Sequence, residues 1–159
     1  MKKTLNLIVL VAILIFLNFS IYKKEQILTN GKVIYLELAP IDPRSLMQGD
    51  YMALRFKIED KIKKALKKFN LSKNSKGKAI VTFNKQKLAK FKSLFKGEKL
   101  KPNEILLKYN IRDKRVHIGT NAFFFQEGKE KKYQNAKYGE FKIAPNGEMI
   151  LIDLKKSLF

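Results

Sequence analysis

"YMALRFKIEDKIKKALKKFN", residues 51–70, carries two periodicities back to back. Met52, Leu54, Phe56 and Ile58 alternate with Tyr51, Ala53, Arg55 and Lys57. That is the period of a strand with one face in a core and one face wetter. From Ile58 onward the spacing changes: Ile58, Ile62, Leu66 and Phe69 fall on one helical stripe, with lysines on the remaining faces. The pattern predicts a strand followed by an amphipathic helix that packs its apolar stripe on a sheet.

The flanking sequence supplies that sheet. Lys32 to Leu38 alternates and stops at Pro40, so it is read as a strand. "KAIVTF" and the segment Leu88 to Phe95 form a hairpin, with Asn84 and Lys85 near its turn. "NEILLKYNIR" is a long strand, Asp113-Lys114 a tight turn, and "RVHIG" the returning strand. Phe123, Phe124 and Phe125 make an aromatic run that needs a covered place, and "QEGKEKKYQ" after it reads as an exposed loop. "AKYGEFKI" and "GEMILIDL" are two more strands, joined by the turn signature Ala144-Pro145-Asn146-Gly147. Strands outnumber helices, so the fold class is α+β: a mainly antiparallel sheet curling towards a barrel, with one amphipathic helix.

Ahead of this domain Lys2 and Lys3 precede Leu5 to Tyr22, an apolar stretch interrupted by Asn6, Asn18 and Ser20 and closed by Lys23 and Lys24. Its length approaches the roughly 20 residues needed to cross a bilayer core. A cleavable signal would have a shorter apolar region and small residues before the cut, whereas this one ends Leu17-Asn18-Phe19-Ser20. The expectation is an uncleaved transmembrane helix over residues 1–24 and an extracytoplasmic domain over 25–159. The lysine pairs at the two ends balance, and the amino terminus tips the orientation to N-inside. That makes a single-pass protein of the inner, cytoplasmic membrane with its domain on the periplasmic side.

Composition narrows the chemistry. The 159 residues contain no cysteine and one histidine, His117, so neither a disulfide framework nor a thiolate or histidine metal site is available within one chain. No glycine-rich phosphate loop occurs, and no cofactor is expected. The net charge of +20 suits an anionic partner, yet the bases are lysines apart from Arg44, Arg55, Arg112 and Arg115. Readers of bases and phosphates favour arginine for its bidentate fork. The charge therefore reads as a solvated lysine coat, with adhesion to anionic lipid or cell-wall polymer as the alternative and no specific nucleic acid.

One polar stretch precedes residues 51–70. In "PIDPRSLMQGD", Pro40 and Pro43 bias their predecessors away from helix, and Gly49 permits a positive φ at the entry to the strand. Asp50 can accept backbone N–H groups of that turn, and Arg44 can pair with Asp42 or Asp50. Asp42, Arg44, Gly49, Asp50, Tyr51 and Arg55 are the candidate binding residues, a rigid polar corner suited to recognising a partner. An integral membrane protein is the expected partner, with Asn6, Asn18 and Ser20 offering contacts along the anchor.

Gly49-Asp50-Tyr51-x-x-Leu54-x-Phe56 resembles the signature of the bacterial GDYxxLxY family, and Pro40 with Asp42-Pro43-Arg44-Ser45 is similar to its lead-in. The C-terminal block from the phenylalanine run through Glu127-Gly128 to the last strands is similar to the family's second block. Phe56 stands where the signature ends in tyrosine. The resemblance implies a membrane-anchored domain, in some members encoded beside a multi-pass membrane protein, and implies no reaction. A catalytic alternative is an anchored hydrolase like the signal peptidases, with Ser45 as nucleophile and a lysine such as Lys78 as base. Ser45 lies only four residues before Gly49, which departs from the spacing of those enzymes.

Overall fold

A computed structural model describes residues 2–40, 51–67 and 75–158. The chain begins with α1 (Lys2–Asn30), passes through Gly31, and enters β1 (Lys32–Glu37). β2 (Tyr51–Ala53) and α2 (Lys57–Lys67) follow, then β3 (Lys76–Phe83), β4 (Ala89–Leu94), β5 (Glu104–Arg112) and β6 (Arg115–Ile118). β7 (Ala122–Phe124), the single turn α3 (Glu130–Tyr133), β8 (Tyr138–Ile143) and β9 (Met149–Lys155) complete it. The fold is α+β, as the sequence predicts, with strands in the orders β4-β3-β5-β6, β1-β8-β9 and β2-β7. Every named pairing is antiparallel.

These sheets curl into a half-barrel because short cross-links stitch them together. Tyr35 bridges Leu88, Leu38 bridges Phe56, and the N–H of Lys108 on β5 donates to the carbonyl of Gly147 in the β8–β9 turn, at 2.9 Å. Gly147 is the residue that turn requires: its φ is +89°, and a Cβ there would lie 3.0 Å from the Lys108 nitrogen. The Asp113-Lys114 turn has φ of 50° and 60° at its two central residues, the mirror-image geometry that matches strand twist in a two-residue hairpin.

α2 packs against β4, β6 and β1 with Ile58, Ile62 and Leu66 buried. Glu59 and Asp60 occupy its first turn and Lys64 and Lys67 its last, each sign complementing the helix dipole. The predicted strand from Tyr51 to Ile58 is shorter than its alternation suggests: pairing ends at Ala53, Phe56 makes an isolated bridge, and the helix starts at Lys57. The inward set is nonetheless as read, since Met52, Leu54, Phe56 and Ile58 are all buried. Phe56 is the centre of this core. Its side chain is 0% exposed, and its ring meets Phe141 edge-on at 5.3 Å and 67°. Such a pair contributes about 0.5–1.5 kcal/mol beyond its buried area. Gly139 makes room for it, because a Cβ there would come within 2.9 Å of both rings.

The phenylalanine run divides by alternation. Phe123 and Phe125 are half-buried and pack on Tyr133 of α3 at 4.9 and 5.5 Å, while Phe124 points outward. The polar run after them is therefore more than a solvated loop: Gln126, Glu127 and Lys129 are exposed as expected, but the run winds into α3 and buries Tyr133.

α1 is different in kind from everything else. Its most apolar 18 residues have a mean hydropathy of 2.5, and none of them is buried. By length and composition it can cross a membrane, as an anchor or as a signal sequence. Only its last turns touch the domain: Ile27 is buried, and the Lys142 ammonium on β8 donates to the carbonyl of Leu28.

Candidate functional site

Of the residues proposed from sequence, Asp42, Arg44, Gly49 and Asp50 lie outside the described residues, as does Ser45 of the hydrolase alternative. Tyr51 and Arg55 are described, and they occupy different places. Tyr51 is 36% exposed on β2, its ring 5.7 Å from that of Phe124 across the β2–β7 pair, and Phe124 is 74% exposed. Arg55 lies beyond the end of β2 and forms an ion pair with Asp60 in the first turn of α2.

Arg55 lines a cleft of about 490 Å³ between α2 and β6, within the size range of small-molecule sites. The α2 wall presents Glu59, Asp60 and Lys63, and the β6 wall presents Arg115, Val116 and His117. Ala53, Leu54 and Asn121 close the remaining side. The local sequence explains both walls. Arg55, Glu59 and Lys63 are spaced four apart, so they follow one side of the helix and its approach. On β6 the tight turn at Asp113-Lys114 sets the phase, and burying Val116 and Ile118 leaves Arg115 and His117 to the wetter side.

Glu59 gives the cleft its chemistry. It is half-buried, and burial pushes its carboxyl from the ordinary 4.5 up to about 7. Backbone N–H groups of Ile118 and Phe56 donate to it and, with the charge of Arg55, pull the other way, while Asp60 adds to the rise. The bond from Phe56 is half of a capping box: Glu59 stands three residues into α2 and reaches back to the residue before its first turn. The bond from Ile118 ties that helix end to β6. Near neutral pH this carboxyl is therefore divided between its acid and its anion, with one bond to each wall.

Several other acidic, basic and polar side chains lie away from this cleft. Glu140 and Asp153 face each other across β8 and β9 and share Lys155, at 3.3 and 3.0 Å, whereas Glu127 is exposed in the loop before α3. Lys78 is half-buried on β3, in register with Lys108 of β5. Asn18 donates to the carbonyl of Leu14 at 2.8 Å, a bond inside its own helix. His117, which looks partnerless in sequence, is brought to the cleft. Glu59, Lys63, Arg115 and Asn121 were not singled out by their sequence context. The four-residue spacing of Arg55, Glu59 and Lys63 is the one local signal that could have found part of the set.

Of the signature residues, Tyr51, Leu54 and Phe56 are described. Leu54 and Phe56 are core side chains, Tyr51 is a surface ring, and the strand-to-helix corner they build carries Arg55 and Glu59 into the cleft. No match was found among curated proteins or among solved structures. A family model does match residues 13–154, from the middle of α1 to the end of β9, and by that match the chain belongs to the GDYXXLXY protein family.

Proposed function

We propose that this protein is a single-pass, N-terminally anchored extracytoplasmic domain that serves as a non-catalytic accessory or sensor subunit of an integral membrane protein. The observation that carries the reading is the joint between helix and domain. α1 ends at Asn30 and β1 begins at Lys32, so one residue separates the apolar helix from the sheet. The Gly31 N–H donates to Ile27 at 2.9 Å, and Lys142 holds the Leu28 carbonyl, so the last turn of α1 is fastened to β8. A domain mounted this stiffly keeps a fixed height and rotation over the bilayer, which suits docking on a fixed neighbour. A lysine-rich adhesin scanning a polymer would gain from a longer, looser tether. The bare apolar helix supplies one contact surface in the membrane, and the exposed Tyr51–Phe124 pair supplies an aromatic one outside it.

The absence of cysteine from the sequence makes a direct test available. A Phe124→Cys chain in its native host should stay in the membrane pellet after alkaline carbonate and react with a membrane-impermeant maleimide added from the extracytoplasmic side. A photo-crosslinking residue at Ile15 should give one discrete adduct with a membrane protein. Release by carbonate, labelling only after lysis, or a smear of adducts would defeat the reading.

A further inference from the structure

The cleft between α2 and β6 holds more positive charge than its ion pairs use. Arg55 is matched by Asp60. Lys63 on the helix wall and Arg115 on the strand wall are exposed and form no ion pair among the described residues. They stand on opposite sides of one cavity, with His117 beside Arg115. Two cations from different elements facing a shared space make a two-point grip, a point charge on one side and a flat fork on the other.

We infer that this cleft is a binding site for a small divalent oxyanion, either a dicarboxylate or a tetrahedral dianion, held between Lys63 and Arg115. Glu59 then sets when the site is open. A carboxylate between the walls repels an incoming anion, and the same group carrying a proton does not. Binding and protonation thereby favour one another, and by linkage each strengthens the other equally. Among the described residues, the charged and titratable groups that share the cleft with Glu59 are Arg55, Asp60 and Lys63 from its own segment and Arg115 and His117 from β6. Glu59 and His117 share the cleft, so the experiment must separate their contributions.

The test uses the full chain in nanodiscs of zwitterionic lipid, with sulfate and succinate as probes, because neither changes charge between pH 6.5 and pH 8.0. Amide and ring shifts of His117 and Asn121 report occupancy. At least one probe should saturate, and which one does identifies the geometry the site takes. A group titrating at about 7 is protonated in about three quarters of molecules at pH 6.5 and about one tenth at pH 8.0, so affinity should fall about eightfold across that range. Lys63→Gln and Arg115→Gln should each weaken binding at least about fivefold, since each removes one jaw of the grip. Lys61→Gln, exposed on α2 outside the cleft, should leave binding unchanged and so controls for the general lysine coat. Glu59→Gln should bind with one affinity at both pH values, while His117→Gln keeps most of the pH dependence. The inference fails if neither probe saturates by about 20 mM. It fails equally if Lys61→Gln weakens binding as much as Lys63→Gln, or if the pH dependence survives Glu59→Gln and vanishes in His117→Gln.

Discussion

Two glutamates in this domain are withdrawn from water and end with opposite acidities. Glu104, at the start of β5, has a side chain only 3% exposed, yet its carboxyl is held below the ordinary range. The Lys92 ammonium on β4 donates to one of its oxygens and the Lys101 N–H donates to the other at 3.1 Å. Glu59 is less buried and is pushed up to about 7. It too accepts backbone N–H groups, but among the described residues no ammonium or guanidinium bonds to it, and the Arg55 guanidinium that acts on it is committed to Asp60. Burial alone therefore does not mark a functional carboxyl. Burial dominates at Glu59, whereas at Glu104 the Lys92 ammonium in direct contact outweighs it. One fastens the β3–β4–β5 sheet; the other sits in a cleft with a proton it can exchange near neutral pH.

Substitutions can break that contrast at several strengths. The largest effect should come from Phe56, which serves both regions: its ring fills the core against Phe141 and its N–H serves Glu59. Phe56→Ala should lower unfolding free energy by about 3–5 kcal/mol in denaturant titrations, through lost burial and a residual cavity. Both variants retain the backbone N–H, and Phe56→Leu refills much of the volume, so it should cost clearly less; that difference assigns the loss to the core.

Next in size is Glu104→Gln, which should lower the thermal midpoint at pH 7. The folded carboxyl is lowered relative to its ordinary 4.5, so its contribution is present above that value and is lost as pH falls through the folded one. The variant's deficit should shrink as the solution is made acid. Glu59 should behave in the opposite sense. With its folded value raised to about 7, its contribution is complete below 4.5 and is lost as pH rises through 7. Glu59→Gln keeps an oxygen for Ile118 and Phe56 but never charges, so it should be more stable than the parent at pH 8 by about 1–2 kcal/mol, discounted for solvent access. At pH 4.5 the two should be nearly equal.

The smallest stability change should come from Arg55→Gln, which breaks an exposed ion pair worth about 0–1 kcal/mol. Its value lies elsewhere. Loss of a positive charge that pulls Glu59 down should move the Glu59 midpoint above about 7. An unchanged midpoint would remove Arg55 from the electrostatics of the cleft.

Much of this architecture was legible because it is local. The alternation in "KVIYLE", "EILLKYNIR" and "YGEFKI" records which face each strand buries, and Asp113-Lys114 and Ala144 to Gly147 announce their turns. The strand-to-helix corner was legible in its faces and not in its boundary. Ile58 belongs both to the alternating set and to the helical stripe, so periodicity cannot say where one becomes the other. α3 was hidden because its apolar contribution is one tyrosine, Tyr133, in a run of lysines. The cleft was less legible still. Glu59 owes its raised pKa to being covered beside β6, and Ile118, which bonds it, is far away in sequence. A charged helix face next to a lysine coat gives no local hint of that.

The contrast between the two carboxyls is open to one direct observation: a ¹³C titration of glutamate side-chain carboxyls in the full chain, resolved for Glu59 and Glu104. Glu59 should titrate at about 7 and Glu104 below 4.5. If Glu59 instead ionises with the solvent-exposed glutamates near 4.5, the cleft holds no exchangeable proton, and the account of it as a distinct chemical site is wrong.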